Sequence, residues 1–189
     1  MKNKNIFGLL INPFSRIAGW QAFGIGLIFV VIMGFLGAYN DIAFDGVIDM
    51  HLNETSLRLS FLYLITDLVC LIVVMSLTGL IVSKNFRFID ILGTMTLAKA
   101  PFLILAIAGF FTTAPNLSEI YKDPYVIFKS MSFIILMVLS LPVIIWSITL
   151  MYNALKVSCD VKGSKLTVAF IIALFISEAL SKVFIYLFV

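Results

Sequence analysis

Charge is scarce in this sequence. Lysine, arginine, aspartate and glutamate make up 12% of its 189 residues, about half of the roughly 25% that soluble domains carry. Histidine occurs once, as His51, and cysteine twice, as Cys70 and Cys159. With so few cysteines a disulfide framework is excluded: Cys70 sits inside an apolar run and Cys159 in a predicted cytoplasmic loop, so both read as free thiols. No basic tract is long enough to suggest nucleic acid. The H-E-x-x-H, G-x-S-x-G and P-loop patterns are missing. The single histidine also lies outside every long apolar run, which leaves no intramembrane Ser–His or Cys–His arrangement. This inventory points away from an enzyme, and no cofactor or metal site is implied.

What is abundant is apolar surface. Hydrophobic residues make up 62% of the chain, and the mean hydropathy is +1.14. A water-soluble fold of this length has no way to hide that much apolar surface, so lipid must be the solvent for part of it. A spanning helix needs about 20 mostly apolar residues, and five stretches qualify: 20–39, 59–83, 89–113, 127–153 and 166–188. The first is too long for a signal-peptide core and no A-x-A-like site follows it. The expected fold is an all-α membrane bundle of five transmembrane helices (residues 20–189), preceded by a cytoplasmic or interfacial N-terminal segment (1–19). Within that segment Ile6, Phe7, Leu10, Phe14 and Ile17 alternate with Lys2, Lys4 and Arg16, which suits a short interfacial helix. Asn12 before Pro13 reads as an N-cap followed by proline at the first helical position. The plainer reading is a frayed basic lead-in to the first span.

Loop charge sets the expected orientation. The N-terminal segment, the connection 84–90 and the loop 156–165 hold Lys2, Lys4, Arg16, Lys84, Arg87, Lys156, Lys162 and Lys165. The two loops on the opposite side hold only Arg58, Lys122 and Lys129, together with the acids Asp41, Asp45, Asp49, Glu54, Glu119 and Asp123. By the positive-inside rule the N-terminus faces the cytoplasm, and an odd number of spans places Val189 outside. The short turn around Lys84–Phe88 is the weakest element of this count.

Four ionisable residues fall inside the expected spans: Asp67, Lys99, Glu178 and Lys182. A charge at the bilayer centre costs about 2.5–3.5 kcal/mol even on insertion scales, so each must be paired, neutralised or bathed in a cavity. At about 1.5 Å of rise per residue, Lys99 lies roughly 15 Å, and Asp67 and Glu178 roughly 18 Å, from the cytoplasmic face of a ~30 Å core. The expectation is an interior ionic cluster joining the second, third and fifth spans, with Lys182 pairing with Glu178 one turn away or snorkelling outward. Such a cluster is either a polar clasp that fixes helix register or an ion- or proton-linked site.

Pro101 and Pro142 lie inside the third and fourth spans and are expected to kink them. Ala22/Gly26 and Gly34/Ala38 form small-xxx-small pairs in the first span, fitted to close helix approach within the chain or to a homodimer face. Two sequons, at Asn53 and Asn116, fall in the outward loops. His51, beside Asp49 and Glu54, reads as a solvated histidine, since a metal site needs further ligands of known geometry.

The stretch Phe86-Arg87-Phe88-Ile89-Asp90-Ile91-Leu92-Gly93-Thr94-Met95-Thr96-Leu97-Ala98-Lys99-Ala100-Pro101 resembles the middle of bacterial Yip1-domain proteins, where a short basic turn leads into a glycine-containing helix that ends in a similarly placed proline. The resemblance extends loosely from Asn12-Pro13-Phe14 to the last span, and Trp146 to Lys156 is also similar. It implies a five-span protein with a cytoplasmic N-terminus. Eukaryotic members are linked to Rab GTPases and vesicle traffic. This chain lacks their long cytoplasmic N-terminal region, and its compact loops fit a bacterial inner-membrane protein better. The expected function is a non-enzymatic scaffold or accessory subunit of a membrane transport or envelope process. A small ion- or proton-linked transporter or channel using Asp67, Lys99 and Glu178 is the alternative, and lipid handling at the N-terminal segment ranks third. Expected partners are membrane lipids and another membrane protein or a second copy of the chain.

Overall fold

The computed structural model describes residues 6–83, 86–112, 123 and 125–188, with the side chains of Ile6 and Phe7 left out. Lys2, Lys4, Lys84, Asn116, Glu119 and Lys122, each used above, lie outside that set. The chain is an all-α bundle in which five helical stretches are long and apolar enough to cross a membrane: Gly19–Tyr39, Leu57–Val82, Phe88–Phe111, Met131–Cys159 and Ser164–Phe188. It is an integral membrane protein by this measure.

In chain order the elements are α1 (Ile6–Ile11), a 3₁₀ turn (Pro13–Ser15), α2 (Gly19–Tyr39), a two-stranded hairpin of β1 (Ile42–Ala43) and β2 (His51–Leu52), and α3 (Leu57–Val82). Then come α4 (Phe88–Ala98), α5 (Phe102–Ala108) with a closing 3₁₀ turn (Gly109–Phe111), the single turn α6 (Val126–Lys129), α7 (Met131–Cys159) and α8 (Ser164–Phe188). The N-terminal segment differs in detail from expectation. Pro13 does stand at the first position, but of a 3₁₀ turn, and the Asn12 side chain makes no cap bond. The α-helix precedes the proline, because Leu10 and Ile11 have partners for the carbonyls a helix end leaves bare: the Trp146 indole N–H donates to Leu10 (2.8 Å) and the Asn153 amide to Ile11 (3.1 Å).

The fourth span, α7, runs six residues further than its sequence limit of 153, because Ala154, Leu155, Ser158 and Cys159 still face the core. Asp160 then ends it in the left-handed region (φ 48°). Cys159 is therefore not in a loop; it is the last helical residue and is buried. At the other end, Ser130 separates α6 from α7, so the span begins at Met131 rather than 127. In that connection Lys129 donates to the Asp123 carboxylate (3.0 Å) and holds it below the usual carboxylate range.

The two prolines act differently. Pro142 lies within an unbroken α7. At Pro101 the third span breaks into α4 and α5 through a run of i→i+3 bonds, among them Ala100 N–H to Leu97 (3.0 Å) and Phe102 N–H to Lys99 (3.1 Å). The freed Ala98 carbonyl is taken by the Ser147 hydroxyl of α7 (2.8 Å), the kind of repair that lets broken helices persist in lipid.

Helix α2 packs most extensively on α4, and α3 on α8. The first contact depends on Gly26, where an added Cβ would lie 2.6 Å from the Leu97 backbone nitrogen and 2.8 Å from the Thr96 carbonyl carbon. The small residues of α2 are thus used for packing inside the chain, as Gly34 is against the ring of Phe61. One core cluster gathers Leu71, Met75, Ile91, Met95, Met151 and Leu155. The other gathers Met33, Leu64, Phe102 and Leu105 around two hairpin residues, Ile42 and Phe44. Tyr39, Phe111, Tyr125 and Tyr186 are exposed at one end of the bundle, as the aromatic belt of a membrane interface requires.

A test of the α2–α4 contact follows from its geometry. Gly26→Leu is expected to lower stability by at least the ~1–3 kcal/mol that overpacking costs, because backbone atoms have no room to yield. Gly24→Leu, where nothing lies within 4 Å, should leave thermal unfolding of the detergent-purified protein unchanged.

Candidate functional site

The connection between α2 and α3, expected as an outward loop, folds back between the helices. Its base is closed by Asn53 N–H to the Asp41 carbonyl (2.9 Å) and by the antiparallel register Ile42↔Leu52 and Ala43↔His51. The Asn40 amide ties the base to the Ala106 carbonyl of α5 (2.8 Å). Beyond the base the chain is apolar enough to enter the bundle: Phe44 is buried and meets the ring of Phe102 edge-on at 6.1 Å, and Val47 is 0% exposed. A non-helical backbone at membrane depth must have its polar groups met by protein, since hydrocarbon offers them nothing.

The intramembrane charges meet that requirement. Lys99, 2% exposed at the end of α4, donates to the carbonyls of Val47 (2.8 Å) and Gly46 (3.2 Å). Its ammonium also lies 3.8 Å from Asp67 Oδ2 and 5.1 Å from the centre of the Phe102 ring. Asp67, on α3 and 0% exposed, accepts a hydrogen bond from the Ser181 hydroxyl of α8. Glu178, one turn before Ser181, accepts from the Ile48 N–H (3.0 Å). An added Cβ at Gly46 would meet the Glu178 carboxylate and lie 2.8 Å from Asp49 Cβ, so a larger residue at the hairpin tip would displace the carboxylate from its place. Lys182 bridges Asp45 (3.4 Å) and Asp49 (3.1 Å) on the hairpin arms.

The expected cluster is thus partly assembled as drawn from sequence. Asp67 and Lys99 are brought together, and Glu178 stands in the same group. Glu178 spends its carboxylate on the hairpin backbone, and Lys182 reaches two loop aspartates rather than Glu178. Pro101 falls two residues beyond Lys99, and the break it causes leaves Lys99 at a helix end, facing the hairpin tip; Pro142 has no part in the site.

His51 is exposed yet engaged: its Nδ1 lies 2.8 Å from Asp45 Oδ1 and its Nε2 3.7 Å from Asp49 Oδ2. Asp45, Asp49 and His51 are the described residues that could hold a metal ion, with ligand atoms within 4.8 Å of one another. The Lys182 ammonium already supplies a positive charge to both carboxylates. The sequon residue Asn53 is exposed, while the Thr55 hydroxyl is turned inward to the Asn53 carbonyl (2.7 Å).

What sequence reasoning missed is the hairpin itself. Asp45-Gly46 is no guide to it: the register Ala43↔His51 leaves residues 44–50 between the strands, not the two-residue turn that Asp-Gly signals. With the geometry in hand, comparison finds no family model that matches this sequence, no similar curated protein and no similar solved structure.

Breaking the centre of this arrangement has an expected cost. Lys99→Met leaves Asp67 buried without its cation and two carbonyls without a donor, so unfolding should move by about 3–5 kcal/mol. Asp67→Leu combined with Lys99→Met should regain part of that loss, since the carbonyls alone stay unmet. Lys182→Met, removing a half-exposed ion pair, should cost at most ~1 kcal/mol. Denaturation of the three purified variants in detergent gives the ranking.

Proposed function

We propose that the chain is a non-enzymatic scaffold or accessory subunit of a membrane transport or envelope process, in keeping with its Yip1-like stretch, and that its intramembrane charges form a structural clasp. The observation that carries this reading is the use of Lys99. Its ammonium is enclosed by the Gly46 and Val47 carbonyls, Asp67 and the Phe102 ring, with 2% of the residue exposed. A cation so fully coordinated by its own protein is suited to holding structure. The excess of basic residues in the N-terminal segment and in the connections 84–90 and 156–165 supports a cytoplasmic N-terminus, and a bacterial inner membrane is the setting that the short loops suit. A membrane protein partner or a second copy of the chain is part of the proposal.

One feature favours a second reading, an ion- or proton-linked transporter. Asp67 Oδ2 is buried and accepts no hydrogen bond from any described residue. Among the described residues, four carboxylates, those of Asp67, Glu178, Asp45 and Asp49, also stand around two ammonium groups, with the exposed His51 ring beside the last two. A carboxyl in that position is suited to taking up and releasing a proton.

Accessibility separates the two. With Val47→Cys at the hairpin tip, and the label located by peptide mass so that the free thiols of Cys70 and Cys159 are told apart, a membrane-impermeant maleimide is expected to leave position 47 unlabelled in the parent background and to label it once Lys99→Met opens the clasp. Labelling in the parent background would mean water at the tip and would favour transport. In that event proteoliposomes should show proton flux that Asp67→Asn abolishes without loss of folded protein. The scaffold role itself predicts a stoichiometric membrane partner in detergent pull-downs identified by mass spectrometry; a chain that purifies alone and conducts alone defeats it.

A further inference from the structure

We propose that the groove between α1, α2, the Pro101 break and α7 seats one acyl chain of an anionic phospholipid, with its headgroup at Arg16. The groove encloses about 410 Å³ and is lined by apolar side chains, among them Leu10, Ile17, Phe29, Pro101, Ile104 and Trp146. An apolar cavity of ~150 Å³ holds one benzene, so this one has room for roughly sixteen carbons. From the start of α2 at Gly19, three residues after Arg16, the lining reaches Phe29, ten residues and so about 15 Å at 1.5 Å per residue, half of a ~30 Å hydrocarbon core. That is the depth of a chain in one leaflet.

The walls are built to stay apart. The Trp146 and Asn153 bonds to the last carbonyls of α1 hold that helix against α7 rather than over the opening. On the facing side, the i→i+3 turn at Pro101 replaces a straight helix and leaves a concave surface. Charge complementarity selects the headgroup. Arg16 is exposed, stands between Pro13 and Ile17, both of which line the groove, and makes no ion pair among the described residues. The nearest acid along α4, Asp90, is already taken by Arg87 (2.9 Å).

The chain has two tryptophans, Trp20 and Trp146, and only Trp146 lines the groove, so its fluorescence is the readout. The Trp20→Phe protein, reconstituted in vesicles, is titrated with acyl-brominated phosphatidylglycerol, acyl-brominated phosphatidylcholine or a brominated free fatty acid. Phosphatidylglycerol is expected to quench Trp146 at about fivefold lower mole fraction than phosphatidylcholine, the enrichment that one basic residue near the surface gives. Arg16→Gln, an exposed site that leaves the fold intact, should bring the two lipids together. Ala100→Leu, which fills the groove, should remove the saturable quenching. Equal quenching by both lipids in the Trp20→Phe protein means contact with bulk lipid only and overturns the proposal. An excess that survives Arg16→Gln overturns the headgroup assignment, and tighter quenching by the fatty acid than by phosphatidylglycerol overturns the phospholipid.

Discussion

Two backbone carbonyls at a hairpin tip, Gly46 and Val47, sit where hydrocarbon would otherwise surround them, and the ammonium of Lys99 is what makes that position tenable. The requirement runs in both directions. A lysine in mid-bilayer is unfavourable by several kcal/mol unless acceptors enclose it, and an irregular backbone at that depth is unfavourable unless donors meet it. Each resolves the other, and Asp67 balances the charge that results. Around this exchange the remaining polar groups fall into place: Ser181 on Asp67, Glu178 on the Ile48 N–H, Lys182 across Asp45 and Asp49.

The same constraint accounts for the broken third span. A straight helix through Lys99 would keep its side chain on a helical face and its backbone bonds in place. The proline two residues on prevents this, so Lys99 stands at a helix end, where its ammonium meets the hairpin tip. The cost of the break is met locally by i→i+3 bonds and by the Ser147 hydroxyl on the Ala98 carbonyl. Close approach of α2 to α4 through Gly26 then keeps the broken segment covered on its other side.

Much of this architecture could be read from residue order. Long apolar runs fall where the five spans are, because in lipid the hydrophobic length of a helix is dictated by the bilayer and not by packing partners. Asp67 and Lys99 could be paired from depth alone, since helices of fixed rise place charges at predictable heights. Span limits were harder to read: α7 continues to Cys159 because of side chains that face the core, which periodicity near a basic loop conceals. The hairpin was not legible because Asp41, Asp45, Asp49 and Glu54 give the connection the composition of a solvated loop. Its apolar residues, Ile42, Phe44 and Val47, become meaningful only when three distant side chains are known to receive them. The partner choices of Glu178 and Lys182 were hidden for the same reason, being set by a segment more than a hundred residues earlier.

That separation along the chain bears on how the protein is made. The hairpin emerges from the ribosome soon after the first span, whereas two of the groups that hold it, Glu178 and Lys182, lie in the last helix, with 130 residues between Ile48 and Glu178. During synthesis Lys99 is available to the hairpin tip before α8 is made, whereas the Ile48 N–H and the two arm aspartates gain their partners only with the last helix. A chain stalled before α8 would keep Lys99 on the hairpin tip and beside Asp67 but would leave the Ile48 N–H, Asp45, Asp49 and one oxygen of Asp67 without Glu178, Lys182 and Ser181. The last helix to be made is thus the one that completes the anchoring of the first loop.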